Sequence, residues 1–418
     1  MKKLRQLLGV LLAILCVSSL APAGHAAATT AVDAKAAVLV DAQTGQIIYQ
    51  QNAKQKLPIA SISKLLTVLV IEDEIARGEL HWDTRVAISK DVAAVANNPE
   101  YSNAGLKQGA TYTVGELVQA ALIKSADGAT LALAGAVGDS TAAFNRKMQK
   151  KARSLGVKDA QIVNAVGLQN EDLPTKLQVK GVSGKAENEM SATDVAKIAS
   201  YLLAHYPRAA RVAGQRTMQL TTPNGTSKTL TNINQLLTNA AYAVAGVKYT
   251  GLKTGTSHAA GYCLASSATY QGRTLIAVVL HANGTTTSRF TATQHLYQWL
   301  VDQQIQPRQL TLSAQAKRIT VKGGLPLKVP VQAPALVVWT KPGASLPKYQ
   351  AVVKLNPRLA TNDALRAPLK RGTKVGTVSV KTTGLSSLTR HRLHADLYTT
   401  QQVDKASFIR ILWHRFVD

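Results

Sequence analysis

The sequence predicts an α+β fold followed by a small all-β sandwich, and three observations carry that expectation. Helix-period apolar segments cluster between Ser61 and Pro207. Extended apolar runs lie on both sides of them, at residues 36–41 and 263–280, so strands and helices are segregated rather than alternating. Beyond Pro307 the texture changes to short runs separated by Gly and Pro, as in a sandwich.

Taken in order, the chain opens with Met1-Lys2-Lys3-Leu4-Arg5 and an uncharged apolar run from Leu7 to Leu20. Small residues Ala21, Ala23, Gly24, Ala26, Ala27 and Ala28 follow. A basic start, a greasy run shorter than the ~20 residues a bilayer crossing needs, and an A-x-A exit predict a secretory signal peptide over 1–26. Cleavage is expected after Ala26 or as late as Ala28. Cys16 leaves with it, so Cys263 is alone and the mature chain has no internal disulfide.

Residues 36–41 and 46–50 read as a strand pair around Ala42-Gln43-Thr44-Gly45. Ser61 opens a helix to about residue 76. Thr113-Val114-Gly115-Glu116 is a capping box that starts a helix running to about Lys124. Further helices are expected over 129–137, over 141–155 up to Gly156, and after the Ser191 cap as far as Pro207. Residues 263–270 and 273–280 form a hairpin around Gln271-Gly272, and a helix over 291–302 closes a first domain spanning 31–305. Runs at 318–322, 336–340, 351–355 and 375–381 belong to a β-sandwich domain over 306–400. Phe408, Ile409, Leu412, Trp413 and Phe416 share one face of a basic amphipathic helix expected over 401–418, suited to lying in a membrane interface.

A formal charge of +26 calls for an anionic partner. The basic residues are scattered, aromatics are only 5%, and the chain carries an export signal, which argues against nucleic acid. An anionic membrane or wall surface fits better.

Three short motifs supply the chemistry: Ser61-Ile62-Ser63-Lys64, Ser125-Ala126-Asp127 and Lys253-Thr254-Gly255. Ser61 and Lys64, three apart at a helix start, share a face. A serine hydroxyl needs a base, and lysine is one only if burial and nearby positive charge lower its pKa; Lys253 is a source of that charge. Lys253-Thr254-Gly255 is expected on a strand at the edge of the site. There Lys253 and Thr254 suit a carboxylate, Gly255 lets a ligand backbone lie close, and the N–H of Thr256 joins that of Ser61 as an oxyanion pair. Ser125, at the end of the capped helix, can relay a proton. A second Ser-x-x-Lys, at 345–348, contains Pro347, which forbids the helical turn this chemistry needs.

With these motifs the chain resembles the low-molecular-weight penicillin-binding proteins of the D-alanyl-D-alanine carboxypeptidase type. The resemblance runs through Pro58–Thr67, Gly251-Leu252-Lys253-Thr254-Gly255-Thr256, Ala260-Gly261-Tyr262-Cys263, Asn164 with Gly167-Leu168, Ser191-Ala192 with Asp194, and Ala367–Gly372 with Val375-Gly376. It implies a β-lactamase/transpeptidase-like catalytic domain and removal of the terminal D-alanine from peptidoglycan pentapeptide stems through an acyl-enzyme at Ser61. Lys64 would be base, Ser125 relay, and Lys253 with Thr254 the carboxylate clamp; penicillins would acylate Ser61, and no metal or organic cofactor is implied. One position departs from the family pattern: Asp127 stands where the second motif usually ends in asparagine. An ionised carboxylate only accepts hydrogen bonds and would raise the pKa of Lys64. Asp127 is therefore expected to turn away, to pair with a cation such as Lys124, or to move the activity optimum upward in pH. Two other readings compete: a class A-like β-lactamase, for which Glu171 is the nearby candidate base, and a non-catalytic wall-binding protein with a degenerate site.

Overall fold

A computed structural model of the chain describes residues 31–138, 140–221, 225–310, 318–346, 349–382, 385–388 and 393–407. The expected signal peptide and the apolar stripe that starts at Phe408 lie outside them.

The centre is a five-stranded antiparallel sheet made of β1 (Ala34–Asp41), β2 (Ile47–Gln51), β3 (Lys248–Ser257), β4 (Gly261–Tyr270) and β5 (Arg273–Ala282), in the order β2-β1-β5-β4-β3. The run Ala36-Ala37-Val38-Leu39-Val40 is apolar without alternation because both of its faces are covered. Ala36, Val38 and Val40 join the core under the helical cluster, whereas Ala37 and Leu39 face a second core with Leu296, Tyr297 and Leu300. The β4–β5 hairpin turns at Gln271 and Gly272, both with positive φ (50° and 70°), the combination that matches strand twist in a two-residue turn.

Helices fill the space between β2 and β3 in sequence: α1 (Lys64–Ala76), α2 (Lys90–Ala96), α3 (Val114–Ile123), α4 (Asp127–Val137), α5 (Thr141–Ser154), α6 (Ala192–His205) and α7 (Pro207–Ala213). The helix α8 (Ser288–Asp302) packs on the opposite face of the sheet. The capping box is formed as expected: Glu116 N–H donates to Thr113 Oγ1 (3.1 Å) and Thr113 N–H to Glu116 Oε2 (2.8 Å). Pro207 ends one helix and also opens the next at its first position, where its missing N–H costs nothing. Helix α1 is apolar nearly all round and buried, with Leu65, Leu66, Val68, Leu69 and Ile71 at 3% exposure or less. Burial of each such side chain is worth about 1.5–3 kcal/mol, and it carries the first turn of the helix into the core.

From Gln306 the regular elements among the described residues are all β-strands. A seven-stranded sheet, mostly antiparallel, encloses Val321, Val329, Leu365, Val375, Val378 and Leu397, and strand Gln306–Leu310 pairs with Leu336–Thr340. The described residues from Val32 onward form one compact unit. A buried joint explains this, as Trp339 donates its indole N–H to Asp41 Oδ2 (2.7 Å), and Gln46 exchanges two hydrogen bonds with the backbone of Trp339.

The helix expected over 401–418 does not begin at 401. Val403 is buried and exchanges two backbone hydrogen bonds with Leu369, and Asp404–Lys405 pairs with Gly324–Leu325 as a strand. Core burial of Val403 and the ladder hold this stretch extended.

Candidate active site

Ser61 sits in a 3-10 turn, Ala60–Ser63, that feeds directly into α1. Ala60 has φ +45°, a conformation costly for a residue with a Cβ, immediately before the candidate nucleophile. The turn is wedged between two glycines. A Cβ on Gly167 would lie 2.0 Å from Ala60 O, and one on Gly255 would lie 2.4 Å from Ile59 O. Sequence reasoning gave Gly255 to a ligand; its empty side is filled instead by the backbone of this turn, which lets β3 abut Ser61.

Lys64, on the next turn of the helix, is fully buried. Its Nζ lies 2.5 Å from Ser61 Oγ, 2.7 Å from Asp127 Oδ1 and 3.2 Å from the carbonyl oxygen of Val166. A neutral amine could donate its two hydrogens to Asp127 and Val166 and turn its lone pair to the serine hydroxyl. The Val166 carbonyl is held by Asn164, whose Oδ1 accepts the N–H groups of Val166 (3.1 Å) and Gly167 (2.8 Å). Asn188 in turn accepts from Val163 (2.6 Å) and Asn164 (3.1 Å) and donates to Asn164 O (2.8 Å). Asn164 was visible in the sequence as a landmark without a role; Asn188 was not seen at all.

Burial pushes the Lys64 ammonium below the usual lysine range, and the charge of Asp127 opposes that shift. Asp127 therefore neither turns away nor pairs with Lys124. It is the ion partner of Lys64, and its other oxygen accepts the N–H of Ser102 (3.2 Å). Of the burial and nearby positive charge expected to lower the Lys64 pKa, burial is the cause that acts. Lys253 is itself buried, and its own pKa is held well below the usual value by burial and then by Lys64. Its Nζ donates to Thr254 O (3.0 Å).

Ser125 stands just past the end of α3 with φ +61°, the left-handed position more often given to glycine, which aims it out of the helix. Ser61, Ser102, Ser125, Thr254, Thr256 and Arg289 line one cleft of about 210 Å³. The third motif lies on a strand, β3, which is an edge of the five-stranded sheet, and Thr256 is exposed there. Arg289, on α8, was missed: it is 34 residues beyond the third motif and belongs to no short pattern. It is buried, donates to Gly255 O (2.8 Å) and Thr286 O (2.9 Å), and lines the cleft. Glu171 is exposed and outside the cleft lining, in a turn whose N–H donates to Gly184 O (2.9 Å), which removes support for the β-lactamase reading. The Cys263 thiol is buried, which pushes its pKa up to about 11 and leaves it protonated.

Fold and site define the class: a serine hydrolase of the penicillin-binding type, with lysine where other serine hydrolases place histidine. Comparison with known proteins narrows it. Residues 23–284 match the D-alanyl-D-alanine carboxypeptidase family of S11 peptidases, and the chain belongs to that family. It is 27% identical over 379 residues to the D-alanyl-D-alanine carboxypeptidase DacF of Bacillus subtilis, covering 90% of this chain and 89% of that one. It is 27% identical over 402 residues to DacC of Escherichia coli, covering 94% and 91%. Among solved structures, the peptidoglycan synthesis regulatory factor PBP3 of Streptococcus pneumoniae superposes with a TM-score of 0.78 at 29% identity, over 90% of this chain and all of that one. Penicillin-binding protein D2 of Listeria monocytogenes, solved with ampicillin bound, gives 0.52 at 29% identity over 64% of this chain and 97% of its own. The chain is thus a serine-type D-alanyl-D-alanine carboxypeptidase.

Proposed function

We propose that Ser61 attacks the carbonyl of the terminal D-alanyl-D-alanine bond of peptidoglycan stem peptides. Lys64, as the free amine, takes the hydroxyl proton while the new C–O bond forms. The N–H groups of Ser61 and Thr256 stabilise the oxyanion. Ser125 passes the proton to the departing amine, the C–N bond breaks, and D-alanine leaves. Water then hydrolyses the acyl-enzyme, returning Ser61. Thr254, Lys253 and Arg289 engage the substrate carboxylate, whose arrival favours the charged form of Lys253. β-Lactams acylate the same hydroxyl.

The observation that carries this reading is the 2.5 Å approach of a desolvated lysine nitrogen to a cleft-lining serine oxygen. The test is intact-mass measurement after benzylpenicillin treatment, alongside D-alanine release from a pentapeptide. The expected result is one adduct and release in the wild type, and neither in Ser61→Ala. An adduct that persists in Ser61→Ala, or fast turnover of a chromogenic cephalosporin, would overturn it.

The same reading assigns catalysis to residues 31–305 and a β-domain to 306–400, and counts Asp127, beside Lys64, among the substrate-binding residues. It places the protein outside the cytoplasmic membrane, exported by residues 1–26 and held at an anionic membrane or wall surface by the apolar, basic stretch from Phe408 onward. Among the described residues no helix is long and apolar enough to cross a membrane.

A further inference from the structure

Three large hydrophobic side chains are exposed among the described residues: Val182, Leu325 and Leu327. Two of them share one turn. Strand Arg318–Lys322 and strand Lys328–Gln332 form a hairpin whose tip, 323–327, carries Leu325 (44% exposed), Pro326 and Leu327 (38% exposed) outward. Exposed basic residues surround the tip. Lys322 is paired in register with Arg366 on the neighbouring strand, Lys328 follows Leu327, and Lys405 lies opposite Gly324. Asp404, opposite Leu325, is the acid among them, and it accepts a hydrogen bond from Gln402 Nε2 (2.6 Å).

The chain also leaves this place toward its apolar stripe. Gly324–Leu325 pairs with Asp404–Lys405, and Ala406 N–H donates to Gly323 O (2.9 Å). Phe408, Ile409, Leu412, Trp413 and Phe416, with Arg410, His414 and Arg415 between them, follow Ala406 and Ser407 in the sequence.

We propose that Leu325-Pro326-Leu327 is a second apolar foot, inserted into an anionic phospholipid surface next to the 408–418 segment. The proposal rests on the membrane reading above and adds residues to it. Charge complementarity selects the occupant. Lys322, Lys328, Arg366 and Lys405 against the single Asp404 draw the tip to anionic lipid head groups. Two leucines at the tip then exchange water for acyl chain, and a second contact fixes the β-rich part at a defined attitude to the bilayer.

The experiment is sedimentation of the full chain with phosphatidylcholine vesicles containing or lacking phosphatidylglycerol. It compares wild type, Leu325→Ser/Leu327→Ser, Val182→Ser, and a chain ending at Ser407. Acylation by benzylpenicillin verifies that each is folded. The double variant should bind phosphatidylglycerol vesicles about tenfold more weakly, with Val182→Ser unchanged. Wild-type binding should weaken without the anionic lipid and with added salt. Equal binding by the double variant and wild type overturns the proposal; if the chain ending at Ser407 is then unbound, the reading of 408–418 survives. Tighter binding by the double variant also overturns it, because the tip would then be covered by the 408–418 segment rather than by lipid. A wild type that binds neither vesicle sinks both.

Discussion

Two buried carboxylates in ion pairs, Asp41 and Asp127, are used in opposite ways. Asp41 ends β1, toward the β2 edge of the sheet, and accepts five hydrogen bonds: from the N–H groups of Gln43 and Thr44, from Arg273 Nε and Nη2, and from Trp339 Nε1. Such a group is fully satisfied and fixes the β-rich part to the sheet. Asp127 lies by the opposite edge, near β3. It has one ammonium and one N–H, and its ammonium partner also faces a reactive hydroxyl. The saturated pair is a rivet. The undersaturated one holds a proton balance that can tip, and this difference separates scaffold from chemistry.

Breaking the rivet has the largest expected effect. Asp41→Ala leaves Arg273 and the Trp339 indole without their buried acceptor and should cost about 3–5 kcal/mol in urea denaturation. Acylation by benzylpenicillin per folded molecule should stay near wild type, because the joint lies away from β3. A collapse of the intrinsic acylation rate would mean the two edges are coupled. Gly255→Ala should do the reverse. A Cβ at 2.4 Å from Ile59 O pushes β3 off the nucleophile turn, at about 1–3 kcal/mol of stability. A displacement of that order should slow acylation about a hundredfold.

The smallest effect belongs to a buried acid with no catalytic part. Burial raises the pKa of Glu72 to about 7, and the nearby Asp73 adds to this while Arg208 opposes it. The folded state then binds this proton more tightly than the unfolded chain. The stabilising contribution is complete below about 4.5 and is lost as pH rises through about 7. Glu72→Gln should therefore gain about 1–2 kcal/mol over wild type at pH 8, after allowance for solvent screening, and little at pH 5. Denaturation at the two pH values measures it.

Much of the fold was legible because local chemistry and tertiary structure agree. The Thr113 capping box, the Gln271-Gly272 turn and the runs at 318–322 and 336–340 carry their instructions within a few residues. What was missed depends on partners distant in sequence. Helix α2 is short, and the hairpin of Thr217–Thr221 with Ser227–Thr231 has few apolar residues to announce it. The 404–405 strand is imposed by Gly324–Leu325, against a helical pattern that starts just after it. In the candidate site, Ser61, Lys64, Ser125, Asp127 and Lys253 were nominated from the sequence because their spacing encodes shared turns and edges. Arg289 and Asn188 were not, since each acts through backbone carbonyls or amides of remote loops. Burial was expected to lower the Lys64 pKa, but its extent depends on how completely α1 is enclosed, which no motif records.

The most direct test of the central claim, that buried Lys64 acts as the amine base with Asp127 holding back its deprotonation, is the pH profile of benzylpenicillin acylation in wild type and Asp127→Asn. Acylation should rise with pH as Lys64 loses its proton. Removing the Asp127 charge should move that rise to lower pH, so that on the rising limb the variant reacts about tenfold faster. A rise that stays in place, or moves upward in pH, would contradict the account.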